Sequence, residues 1–200
     1  MAYILEHCIF LHIPKTGGTW VRRNFDNLNV KYSEVKGIDF EPQFGFNNTH
    51  NVPIHLKKFH ELPKVCIVRS PLDWYRSYFG YRQKTDWEIK NTWLDKYCIS
   101  NTFDGFIENV INKCPVGYVS QMYYLFSQWC EFVGFTESLE ANFKEFMSKY
   151  EGINNFDSIN TEKVNQSNSN EYGYSEKQKK KIVMIEREYY NTWGKNDYTM

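Results

Sequence analysis

Charge of one sign is not in excess: Lys and Arg total 24, and Asp and Glu total 24. A chain balanced in this way has no global field to gather nucleic acid or a polyanionic glycan, so any attraction for anions must be local. Long apolar runs are missing too, and the first strand candidate begins within a few residues of Met1, leaving no room for a signal peptide. These absences predict a cytoplasmic chain with no membrane and no nucleic-acid partner. Cys8, Cys66, Cys98, Cys114 and Cys130 are odd in number and widely scattered, which fits neither a disulfide framework nor a metal spacing. Reduced thiols follow, and the sequons at Asn47 and Asn165 then carry no chemistry. Internal repeats and low-complexity domains are absent.

What is present is enough for one domain spanning residues 1–200, with 18% aromatic residues to fill its core. Strand and helix patterns alternate, so the expected class is α/β, a parallel sheet flanked by helices in three layers. Strands are predicted at Cys8–Ile13, Val30–Val35, Lys64–Val68 and Trp129–Val133. Helices are predicted from Thr19, over Pro53–His60, from Pro71 toward Arg82, and over Phe103–Ile111 within an aromatic stretch holding two or three helices. Leu139, Phe143, Phe146, Met147 and Tyr150 mark one helical face, residues 152–174 read as loop, and Ser175 with Gln178 forms a capping-box signature for a last helix. The Lys177–Lys181 cluster on that helix reads as a solvated face.

Two stretches carry chemistry. In Phe-Leu-His-Ile-Pro-Lys-Thr-Gly-Gly-Thr-Trp, residues 10–20, an apolar strand breaks into a loop with two glycines and a lysine and then enters a helix. Gly17 and Gly18 allow a tight turn whose backbone N–H groups converge, and Lys15 adds a point charge, which together make a phosphate cradle. The lysine precedes the glycines, whereas a nucleoside-triphosphate loop ends Gly-Lys-Ser/Thr, so the anion is of another kind. In the second stretch, residues 65–78, another apolar strand delivers Arg69 at its mouth and Ser77 about two turns into the next helix. A forked guanidinium and a hydroxyl can bind a second anion there. Arg76 reads as structural, facing a carboxylate of its own helix.

Pro14-Lys15-Thr16-Gly17-Gly18-Thr19-Trp20 resembles the 5'-phosphosulfate loop of sulfotransferases that use 3'-phosphoadenosine-5'-phosphosulfate (PAPS). Arg69, Pro71, Arg76, Ser77 and Tyr78 resemble their 3'-phosphate motif. Val133-Gly134-Phe135-Thr136-Glu137-Ser138-Leu139 is similar to a strand-to-helix junction of the family, and Asn165-Gln166-Ser167 to a polar loop near the cofactor in its Golgi-type branch. The resemblance mixes cytosolic and Golgi-type carbohydrate enzymes and implies a P-loop-like sulfotransferase fold. It implies PAPS held by Lys15, Thr16, Gly17, Gly18, Thr19, Trp20, Arg69 and Ser77, with 3',5'-adenosine bisphosphate as product. Trp20 either packs on adenine, as in the cytosolic branch, or belongs to the core.

The implied reaction is in-line transfer of a sulfuryl group to the hydroxyl of a sugar or small alcohol, and it requires no metal. Lys15 follows the charge on the leaving oxygen. His50 is the candidate general base, upstream of a Lys58-Phe59 pair as in glycan 2-O-sulfotransferases, with Glu41 or Asp39 as the carboxylate alternative. His12 reads as a core or supporting histidine, and His55 and His60 as surface positions. Competing readings are a nucleotide-binding regulatory protein without chemistry and, against the loop order, a small-molecule kinase.

Overall fold

The computed structural model describes residues 1–35, 61–85, 87, 92–162 and 171–194. These form two compact units interleaved along the chain. The first takes residues 1–35, 61–69 and 125–162, and the second residues 70–85, 87, 92–124 and 171–194.

The first unit holds a five-stranded sheet with helices α1 (Gly18–Asn27) and α6 (Leu139–Glu151). Its strands are β1 (Ala2–Ile4), β2 (Ile9–Leu11), β3 (Ser33–Val35), β4 (Lys64–Val68) and β5 (Phe132–Phe135), in the order β3-β1-β2-β4-β5. The chain is α/β, but the sheet is mixed where a parallel one was predicted. β2, β4 and β5 are parallel, while β1 runs antiparallel to both β2 and β3. The cause is the short link Leu5–Cys8: a parallel return needs a crossover of a dozen or more residues, so β1 and β2 can pair only as a hairpin.

β4 is buried along its whole length, as the apolar run Val65–Val68 predicts for a central parallel strand, and the Lys64 ammonium at its start donates to Leu62 O at 2.7 Å. β5 begins three residues later than predicted. The Cys130 N–H closes the end of the preceding helix on the Ser127 carbonyl, and pairing starts only with the Glu131 N–H on Lys64 O, at 2.9 Å. The core lies where Phe10, Val65 and Ile67 of the sheet meet Trp20, Val21 and Phe25 of α1 and Phe143, Phe146 and Met147 of α6. Phe143 sits edge-on to both Trp20 and Phe146, each at 5.3 Å. Asn24, buried on α1, donates to Trp20 O and Asn160 O and accepts from the Asn160 N–H, tying the segment after α6 to the first helix.

The second unit is helical: α2 (Pro71–Thr85), α3 (Trp93–Tyr97), α4 (Phe103–Lys113), the first turns of α5 (Tyr118–Ser127), α7 (Glu176–Ile185) and α8 (Arg187–Thr192). The capping box of Ser175 and Gln178 starts α7 as predicted, and a second box, Thr92 with Asp95, starts α3. Aromatic rings fill this core, with Trp74 stacked on Tyr78 at 4.9 Å and Phe79 on Phe106 at 5.6 Å.

Two buried polar networks brace it. Asp95, wholly buried, takes the Tyr78 hydroxyl and the Arg82 guanidinium. Glu186, also wholly buried, accepts from the Tyr75 hydroxyl, the Val119 and Ser120 N–H groups and the Ser120 hydroxyl, and so caps α5 from a distant part of the chain. No helix among the described residues is long and apolar enough to cross a membrane.

Candidate anion site at the ends of the parallel strands

β2, β4 and β5 point the same way, so their C-terminal ends bring three loops to one edge of the sheet. That edge is where open α/β sheets bind ligands. β2 delivers the segment from His12 to Thr19, β4 delivers Arg69, and β5 delivers Thr136.

The first loop is built in two turns. Thr16, wholly buried, donates its hydroxyl to the Ile13 carbonyl at 2.9 Å, which closes the bend around Pro14 and Lys15. Lys15 and Gly17 both take the left-handed conformation, with φ of 65° and 87°. Left-handed residues interspersed with ordinary ones turn successive N–H groups to one side, the geometry of an anion nest. Gly17 is also the N-cap of α1 and carries no side chain to cap it. Its carbonyl takes the Trp20 and Val21 N–H groups. The N–H groups of Gly17, Gly18 and Thr19 have no acceptor among the described residues. Three open donors, the positive end of the α1 dipole and a lysine in the turn make a cradle for a tetrahedral anion.

His12 lies beneath this cradle. Its N–H is bonded to Met1 O at 3.1 Å and its ring stacks on Tyr3 at 6.3 Å. A Cβ on Gly18 would stand 2.0 Å from His12 Cδ2, so the imidazole occupies the space that any other residue at 18 would need. Burial pushes the His12 pKa down to about 4, helped by the nearby amino terminus, Lys15 and Arg22. The ring is therefore neutral at ordinary pH and supports the turn, in keeping with its reading as a supporting histidine.

Arg69 follows β4 directly and is partly exposed, with Nη1 3.4 Å from the Lys15 carbonyl. Thr136 follows β5 and donates its hydroxyl to Val68 O at 2.9 Å. Leu139 and Thr136 close over Gly17: a Cβ there would meet Leu139 Cδ2 at 2.8 Å and Thr136 Cγ2 at 3.6 Å.

Lys15, Thr16, Gly17, Gly18, Thr19 and Arg69 thus meet at one edge. The Thr16 hydroxyl is turned inward to Ile13, while Thr19 is exposed. Trp20 is only 6% exposed and packed against Phe143, the core alternative of its two readings. Ser77 belongs to α2 in the second unit; it is 6% exposed and its hydroxyl makes no hydrogen bond among the described residues. Arg76 pairs with Asp73 at 3.0 Å, donates to Tyr172 O and lies over the Tyr174 ring, the structural role read from its spacing. His50, Glu41, Asp39, His55, His60, the Lys58-Phe59 pair and the Asn165–Ser167 loop lie outside the described residues. Sequence reasoning placed Thr136 in a strand-to-helix junction but missed the part it plays, holding the Val68 carbonyl and packing against Gly17. No protein-family model matches this chain, and neither does any curated protein or solved structure, so its functional reading rests on the residues and geometry above.

Proposed function

We propose that this chain is a PAPS-dependent sulfotransferase of the P-loop-like, three-layer kind, acting on the hydroxyl of a sugar or small alcohol. The observation that carries the reading is the set of open N–H groups of Gly17, Gly18 and Thr19 on a lysine-bearing left-handed turn, beside Arg69 at the ends of two neighbouring parallel strands.

The donor set fits a nucleotide with two separated anionic groups. The N–H groups of Gly17, Gly18 and Thr19 and the Thr19 hydroxyl hold the 5'-phosphosulfate, and Arg69 takes the 3'-phosphate through its fork. Ser77 joins Arg69 in this assignment on the sequence motif alone. PAPS supplies the sulfuryl group and a phosphate leaving group. Lys15 stabilises the negative charge that develops on the leaving oxygen. His50 takes the acceptor proton, with Glu41 or Asp39 as the alternative base, again from sequence.

The test is thermal unfolding with 3',5'-adenosine bisphosphate, AMP, and ATP with Mg2+. The bisphosphate raises the melting temperature without metal and does so more than AMP or ATP, and Arg69→Ala removes most of that difference. Equal stabilisation by AMP and the bisphosphate would overturn the reading.

A further inference from the structure

We infer that Thr136 is a positioning residue that sets the spacing between the two anion-binding groups, Arg69 and the Gly17–Thr19 cradle. The inference rests on the sulfotransferase reading and concerns the same site.

The ladder between β4 and β5 ends at the pair Val68 and Phe135, and the ladder between β2 and β4 ends earlier, at Leu11 and Cys66. The peptide joining Val68 to Arg69 is therefore at the limit of the sheet. Beyond it, Arg69 reaches the cradle through a long contact, Nη1 to Lys15 O at 3.4 Å. Thr136 touches both sides of this gap. Its hydroxyl holds the Val68 carbonyl at 2.9 Å, fixing the plane of the peptide from which Arg69 departs. Its methyl lies 3.6 Å from the point where a Cβ on Gly17 would stand, against the left-handed turn that opens the cradle. Thr136 is itself held: the preceding Phe135 N–H donates to Asn142 Oδ1 of α6 at 2.6 Å. A side chain bonded to one strand end and packed on the turn from another, on a backbone held to α6 at the preceding residue, works as a spacer.

A spacer matters only to a ligand that engages both ends. Thr136→Val keeps the shape and loses the hydrogen bond, whereas Thr136→Ser keeps the hydrogen bond and loses the methyl. The experiment measures Kd for 3',5'-adenosine bisphosphate and for AMP by calorimetry in wild type and both variants. Wild type prefers the bisphosphate; Thr136→Val reduces that preference roughly three- to tenfold, the worth of one hydrogen bond, and Thr136→Ser retains most of it. A purely structural role would weaken both ligands equally and leave the ratio unchanged. A wild type that binds the two nucleotides equally overturns the sulfotransferase reading and this inference with it. A wild type that discriminates, with Thr136→Val discriminating just as well, overturns the inference alone. If valine unfolds the chain, Thr136→Ala carries the same comparison.

Discussion

The imidazole of His12 fills the place where residue 18 would carry a side chain, 2.0 Å from an ideal Cβ on Gly18. From the sequence Gly18 reads as half of a glycine pair that lets the backbone turn tightly; its immediate constraint is steric and comes from inside the protein. The consequence is a direct test of how the cradle is supported. Gly18→Ala is expected to destabilise the fold by about 1–3 kcal/mol, the usual cost of overpacking. In the double variant with His12→Ala much of that cost disappears, because the methyl enters the vacated space. A double-mutant cycle in urea measures this coupling, and additive losses would show that the two residues do not compete for the same volume.

The same imidazole predicts a stability change with pH. Its pKa in the folded chain is about 4, below the ordinary 6.5, so the unfolded chain binds a proton first as the pH falls. Above the ordinary value both states are neutral and His12 contributes no pH dependence. Between these two values stability falls with falling pH, and below about 4 the loss levels off. The full loss is at most about 3 kcal/mol, lessened by whatever water reaches the ring. His12→Gln cannot titrate, so its unfolding free energy should differ less between pH 7 and pH 5 than that of the wild type. An unchanged difference would assign the acid sensitivity to other groups.

Lys15 is expected to matter more to rate than to binding. Lys15→Ala should lower kcat by two or more orders of magnitude while weakening 3',5'-adenosine bisphosphate only modestly, since the charge it stabilises develops in the transition state. A raised KM with unchanged kcat would make the lysine a uniform binder and remove it from the chemistry.

The sequence is most legible where one physical constraint dominates a segment. β4 occupies Lys64–Val68 as predicted because a central buried strand needs the unbroken apolar run Val65–Val68, and α7 starts where Ser175 and Gln178 can satisfy each other's backbone. The face of α6 is equally clear, with Phe143, Phe146 and Met147 buried. β1 is not legible: at three residues it is too short to show a period, and without it the sheet reads as all parallel. At the site, the order of Lys15, Gly17 and Gly18 announces a turn. It does not announce that Lys15 itself is left-handed, or that Thr136, more than a hundred residues on, packs against Gly17. Those facts are long-range, and no local pattern encodes them.

The left-handed backbone at Lys15 sets the demands of folding and of use against each other. A side chain with a Cβ costs on the order of 1 kcal/mol in that conformation, and glycine or asparagine would avoid most of it. Under selection for stability alone, position 15 would drift to one of those residues and the turn would survive. Under selection for handling an anion, the lysine stays despite its conformational penalty. The two regimes would separate at this one codon, so the residue found there in an evolved library reports which property was under selection.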